Sequence, residues 1–316
     1  MENKSPKTKF QENRQQFIDD IIKNLEKGTV PWQKEWTTGS TPYNPVTNNR
    51  YKGGNSLRLT FVSLQNKYTD PRWVTFKQAQ DKEWTIKKGS KGVPIEIFKL
   101  YDKHTKKDFK AETIKDLTDN QKEEYLKKNV KLVCKNYYVF NASQIEGIPP
   151  LKKEQEKAVE YDKLKLIEKN CGVPITHFGD QAFYSPGSDT ITMPPKENFK
   201  NENSYYATLL HEISHSTGHK TRLNRNIQNS FGSEDYAREE LVAELSSVFI
   251  GQEKGLQYNY ENNKAYINSW IKILKNDPNE LFKAATQAEK ATEYVLGYEK
   301  GITKDKTIEK SKGIEI

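Results

Sequence analysis

Apolar residues recur every three to four positions in FQENRQQFIDDIIKNLEKG, placing Phe17, Ile18, Ile21, Ile22 and Leu25 on one helical face, with Gly28 as the stop. The periodicity then gives way to turn-rich, aromatic chain, VPWQKEWTTGSTPYNPVTNNRYKGG. A second helix is expected from about Asn55, and a short one in PRWVTFKQAQ. KGVPIEIFKLYD and VKLVCKNYYVFNASQI are dense in β-branched and aromatic residues and predict strands. The charged stretch 103–130 between them predicts an insertion, either a helical hairpin or a mobile loop. A boundary is expected in IEGIPPLKKEQEKAVEYDK, where paired prolines lead into charged chain.

Beyond that boundary FYSPGSDTITMPP predicts a short hairpin or edge strand, and SYYATLLHEISHSTGH and EDYAREELVAELSSVFIG predict helices. Two more helices follow. The last opens on DPNE, with Asp277 as N-cap, Pro278 at the first position and Glu280 completing a capping box. The expected fold is α+β in two domains, 1–150 and 151–300, with a frayed tail at 301–316.

Composition narrows the class. With 34% hydrophobic, 30% charged and 11% aromatic residues the chain is polar, yet too rich in rings for wholesale disorder. No run is long and apolar enough for a membrane span, and MENKSPKTKFQENRQQF lacks a secretory core, so cytoplasmic residence is expected. Cys134 and Cys171 form neither a disulfide framework nor a CxxC knuckle. Charge is uneven: residues 1–150 hold 28 Lys+Arg against 18 Asp+Glu, residues 151–316 hold 23 against 25. A basic first half fits a polyanionic partner; a solvated lysine-rich surface is the plain alternative.

LLHEISHSTGH concentrates three of the five histidines. Four residues apart on a helix, His211 and His215 project side by side, as two imidazole ligands of one tetrahedral zinc must. Glu212 is placed to take a proton from water. His219, a further turn along, is carried away from such a site. The HExxHxxGxxH pattern fails at Thr221. A carboxylate of EELVAEL remains as third ligand, where Glu240 and Glu244 are again four apart. This spacing resembles the ExxxD/E element of thermolysin-like gluzincins. The resemblance implies Glu240 as the ligand and Glu244 as the carboxylate holding a ligand histidine; the reverse assignment stays open, with Glu239 as the less favoured third choice. Glu239 fits a surface position on an amphipathic helix. The expected cofactor is one divalent cation, Zn2+ or Mn2+, and the expected chemistry is peptide-bond hydrolysis. SDTITMPP is a candidate edge strand for an extended substrate, and structural roles are expected for His177 and Tyr184.

The basic half interleaves cations with rings, the mixture on which single-stranded DNA stacks and tracks. Candidate contacts are Trp32, Arg50, Tyr51, Lys52, Arg58, Arg72, Lys77, Lys87, Lys88 and Lys91, with Lys34 and Trp36 between the first two. Trp73 and Trp84 are expected in the core. The Gly-Gly turn of YKGGNS could present N–H groups to a phosphate, although an ordinary turn is the plainer reading.

The strings PWQKEW, NPVTNNRYKGGNSLRL, DPRWVTFKQAQ, KKGSKGVPIEIF, YYVFNASQIEGIP, HEISHSTGHKTRLNR and FGSEDYAREELVAEL together resemble the ArdC-type antirestriction proteins of conjugative plasmids and transposons over about 10–300. That resemblance implies an N-terminal single-stranded DNA-binding domain, a C-terminal zincin-like metallopeptidase domain and protection of incoming DNA from host restriction. The charged stretch near 103–130 is longer than the family's usual connection. Two rival readings remain: a DNA-binding protein whose metal is structural, and a general metalloprotease whose basic half docks elsewhere.

Overall fold

The computed structural model describes residues 8–32, 41–151, 159–230, 232–256 and 266–301; Lys34, Trp36, much of the expected linker and the tail beyond Gly301 lie outside them. The chain opens with α1 (Lys9–Glu26), started by a reciprocal Thr8–Gln11 capping box, and its expected apolar stripe is buried. A two-residue hairpin pair, β1 (Tyr43–Asn44) and β2 (Asn49–Arg50), leads to α2 (Gly53–Asn66). That helix begins before Asn55 because the Gly53 N–H donates to Glu289 Oε2 at 2.9 Å. The anion at the Gly-Gly turn is thus the protein's own carboxylate.

Next come β3 (Trp73–Thr75), α3 (Phe76–Asp81), β4 (Thr85–Ile86), β5 (Val93–Asp102) and β6 (Lys107–Asp108). They are followed by α4 (Asp119–Asn129), β7 (Val130–Asn141) and β8 (Ile145–Glu146). Strands β5 and β7 pair antiparallel from Val93↔Val139 to Asp102↔Val130, in a sheet of order β3-β7-β5-β6. The charged stretch is a short strand, a turn of 3-10 helix at Ala111–Ile114 and one α-helix instead of a helical hairpin. Thr118 and Gln121 cap α4, and the Tyr125 hydroxyl donates to buried Asp102 at 2.7 Å, fixing the helix to the end of β5.

The remaining elements are α5 (Tyr161–Asn170), β9 (Ile175–His177), β10 (Phe183–Ser185), β11 (Thr190–Met193), α6 (Glu202–Ser216), α7 (Glu234–Lys254), α8 (Ile267–Asn276) and α9 (Glu280–Glu299). The sheet order is β10-β11-β9, so SDTITMPP supplies the central strand and β10 is an edge. Helix α9 opens at Glu280 with Asn279 as its N-cap, two residues later than expected, and Asp277 accepts the Asn279 N–H at 2.9 Å in the turn before it. Glu280 closes no capping box: its carboxylate is taken by Arg238 at 3.0 Å and Lys283 at 2.8 Å.

Two compact units result, Trp73–Ile148 and the combination of Met1–Arg72 with Pro149–Ile316. The division differs from a single cut near 150 for a physical reason. Phe17, Ile18, Ile21, Leu57 and Phe61 bury their side chains in one core with Leu210, Leu245, Trp270, Leu281 and Val295. Helix α1 packs on α8, and α2 on α9. Burial of each such side chain contributes roughly 1.5–3 kcal/mol, which an exposed amphipathic helix would forgo. The smaller unit has its own buried set, Trp73, Val74, Val93, Ile95 and Val139. The α+β class holds throughout, and no helix among the described residues is long and apolar enough to cross a membrane.

Candidate metal centre

Small polar side chains bring the two motif helices together. Ser214 Oγ lies 3.1 Å from Ser246 Oγ, which in turn lies 3.3 Å from Thr292 Oγ1, and all three residues are buried. With no bulk at these positions α6 can approach α7 closely, and HEISH comes to face EELVAEL. Asn201 caps α6 through the Ser204 N–H, and Ser233 caps α7 through the Tyr236 N–H. Gly255 ends α7 in the left-handed conformation, at φ 71°.

Between those helices His211 Nε2 and His215 Nε2 stand 3.1 Å apart. The Glu240 carboxylate lies 3.5 Å from each, through Oε2 to His211 and Oε1 to His215. Ligands at zinc–nitrogen distances in a tetrahedron sit about 3.3 Å from one another. The two imidazole nitrogens and the nearer Glu240 oxygen to each approach that spacing, and one donor atom from each residue can be taken with all three within 4.8 Å of one another, so the residues fit a small divalent cation. Among the described residues they form the one cluster of its kind. Glu244 is fully buried with Oε2 3.7 Å from His211 Nδ1, on the ring edge facing away from Glu240.

Glu239 is not the surface residue its position suggested. It is 8% exposed, and Oε1 lies 3.2 Å from His215 Nδ1. Arg225 holds both its oxygens, at 3.0 Å through Nε and 2.6 Å through Nη2. Burial alone would raise the Glu239 carboxyl; Arg225 and His215 outweigh it and keep the group ionised. Arg225 carries no motif, and only its place after the histidine helix could have flagged it.

The centre opens into a cavity of about 610 Å³ lined by Phe183, Tyr184, Pro186, Ile227, Tyr236 and Tyr266 together with the histidines, Glu212, Glu239 and Glu240. Glu212 is buried, and desolvation pushes its carboxyl up, with a partly opposing pull from the histidines and the Tyr184 main chain. The tyrosine hydroxyls at 236 and 266 lie 3.3 Å apart on the cavity wall, a pair that sequence reasoning missed. Tyr184 donates its hydroxyl to Asp189 at 2.8 Å, and Asp189 is ion-paired with Arg222. His177 faces the Tyr205 hydroxyl at 2.9 Å, and His219 pairs with Thr221.

The ten candidate DNA contacts separate. Trp32 is 1% exposed and packs against Trp270, with ring centroids 5.7 Å apart, so no base can stack on it. Arg58 is buried with its guanidinium over Phe17 and Phe282, and Arg72 is buried against Asp70 and the Pro149 carbonyl. These three belong to the fold. Arg50 is paired with Glu253, Lys52 with Glu293, and burial pushes the Tyr51 hydroxyl up to about 12. Lys77, Lys87, Lys88 and Lys91 are exposed on the smaller unit, and Trp73 lies in its core as expected.

Comparison with known proteins places this geometry in context. A family described as zincin-like metallopeptidase matches residues 162–287, and one described as the N-terminal domain of anti-restriction factor ArdC matches residues 11–140. The crystal structure of the antirestriction ArdC protein from the R388 plasmid, metal-free, superposes with a TM-score of 0.73 at 30% identity, over 92% of this chain and 98% of that one. This chain belongs to the ArdC antirestriction family. The Mn(II)-bound structure of the same R388 ArdC gives a TM-score of 0.72 at 32% identity, over 90% and 97% of the two chains. A protein of Sinorhizobium fredii, y4eC, is 30% identical over 89% of this ArdC-family chain and 90% of its own length. Two Escherichia coli proteins named DNA primase TraC are 40% and 38% identical over 94% of this chain, which spans 20% and 28% of their lengths. The match to the ArdC N-terminal domain runs through both compact units, since residues 11–72 pack with the C-terminal helices.

Proposed function

We propose that the chain is an antirestriction protein that binds single-stranded DNA through its basic smaller unit and hydrolyses a peptide bond at the His211–His215–Glu240 centre. The observation that carries the catalytic half is the convergence of three donor atoms beside buried Glu212 at the head of a cavity. A bound Zn2+ or Mn2+ supplies Lewis-acid chemistry, acidifying water and polarising a carbonyl. His211, His215 and Glu240 hold the cation. Glu212 takes the proton of the attacking water and returns it to the leaving amine, a role suited to a carboxyl raised by burial. Strand β10, an edge among the described residues and part of the cavity wall, is where an extended peptide would align. R388 ArdC in its Mn(II)-bound form supports a divalent ion in this family fold.

The test is elemental analysis of untagged protein with Glu240→Ala and Glu244→Ala. About one ion per chain, lost in the first variant and weakened in the second, is expected from a three-ligand site. Protein that takes up neither zinc nor manganese overturns the catalytic reading. DNA binding is tested separately by affinity against salt, which must fall steeply if phosphates are contacted.

A further inference from the structure

We infer that Glu239 and Arg225 are positioning residues that set the cation affinity of the centre by fixing the ring of His215; this rests on the proposed metal-binding reading. The contacts close a loop. Glu239 Oε1 meets His215 Nδ1, and Arg225 grips both Glu239 oxygens. The remaining Arg225 donors return to the last turn of α6 itself, to the Ser214 carbonyl at 2.8 Å and Thr217 Oγ1 at 2.7 Å. His215 is therefore held from behind by a carboxylate anchored to the helix turn that carries the histidine. With the Nδ1 proton engaged by Glu239, the Nε2 lone pair is left facing Glu240.

The packing leaves this loop little slack. Arg225 and Glu239 side chains are 6% and 9% exposed. A Cβ added to Gly218 would fall 2.5 Å from Ile227 Cγ2 and 3.1 Å from Arg225 Nη2, so the segment carrying Arg225 lies directly on the end of α6. The same segment continues into residues 227–230, which line the cavity. A buried ion pair serving stability alone needs no contact to a histidine ring. Here the ring is the third member.

The experiment is Zn(II) titration of the full chain against a chromophoric chelator, with the Co(II) visible spectrum as a second readout. The variants are Glu239→Gln, Arg225→Met, their combination, Glu239→Asp and Asp189→Asn. Removing one partner strands the other's charge in the interior, so the single neutral variants are expected to be less stable, whereas the double variant removes both charges. Roughly a 10–100-fold loss of Zn(II) affinity is expected in the double variant, with altered Co(II) bands. Asp189→Asn, which loosens the neighbouring Arg222 contact in the same loop, should keep parental affinity. If the double variant does not fold by circular dichroism, Glu239→Asp decides: it keeps a charge for Arg225 but withdraws from His215, and weaker binding is again expected. A folded double variant within about twofold of the parent overturns the inference. So does an equal loss in Asp189→Asn, which would mean general loosening of the loop. A parent that binds neither Zn(II) nor Mn(II) overturns the metal-binding reading itself, a result distinct from both.

Discussion

Neighbouring carboxylates at the centre have been given different characters by their surroundings. Burial pushes Glu212 up and leaves it suited to carrying a proton, whereas Glu240, also disfavoured by burial, is held well below the usual carboxylate range by His215 and His211. Glu212→Gln is accordingly expected to lower peptide hydrolysis by roughly 10²–10⁴-fold while leaving bound metal at the parental level, measured by turnover alongside elemental analysis. The histidine pair was legible because a spacing of four in a helix sets the distance by itself. Glu239 was not, because its burial is fixed by Arg225, 14 residues earlier in a loop with no periodicity. Trp32 misled for the opposite reason: an aromatic in basic chain looks like a stacking platform until Trp270, far along the sequence, covers it. Trp32→Ala should cost about 3–5 kcal/mol of stability in chemical denaturation, while the salt dependence of its DNA binding should match the parent.

Individual helices were readable from their own stripes and caps, while their partners were not. The α1 stripe is as expected, but nothing in it names α8 as the surface it covers. Strand order was equally hidden: SDTITMPP has the composition of an edge and lies in the middle, because β9 and β10 arrive on its two sides. The β10–β11 hairpin is fastened to the loop after α6 by Asp189 and Arg222, and this pairing is sensitive to acid. Burial opposes ionisation of Asp189, yet Arg222 and the Tyr184 hydroxyl bring its carboxyl below the ordinary aspartate value. A depressed folded value means the contribution is present above the unfolded aspartate range and is lost as pH falls through the folded value. Asp189→Asn should therefore flatten the acid limb of a stability-versus-pH curve while lowering the plateau near neutrality. An unchanged acid limb would assign that limb to other carboxylates.

Across the whole molecule, residues 73–148 hold 16 lysines and no arginine against 11 acidic side chains, which accounts for +5 of the net +8. Residues 1–72, which belong to the larger unit, hold the other +5 of the basic first half, so the smaller unit carries half of that excess in far fewer residues than the larger, and four of the proposed DNA-binding residues, Lys77, Lys87, Lys88 and Lys91, lie there exposed. Replacing each by Gln should reduce the slope of log affinity against log salt by about 0.7 for every phosphate no longer neutralised, read by titration of a labelled oligonucleotide at several salt concentrations. A slope that does not change in the fourfold variant would move the interface elsewhere.

The discontinuous larger unit also has a consequence for how the protein is made. Arg72 donates to the Pro149 carbonyl at 2.9 Å, so the chain leaves that unit and returns to it at neighbouring points. Residues 73–148 can close their own core while still emerging from the ribosome. Helix α1, synthesised first, has to wait for α8, some 250 residues later, before its apolar stripe is covered. The nascent chain therefore carries Ile18, Ile21 and Leu25 without that cover for most of its synthesis, roughly 12–50 s at about 5–20 residues per second. During that interval a chaperone has its clearest claim on this chain.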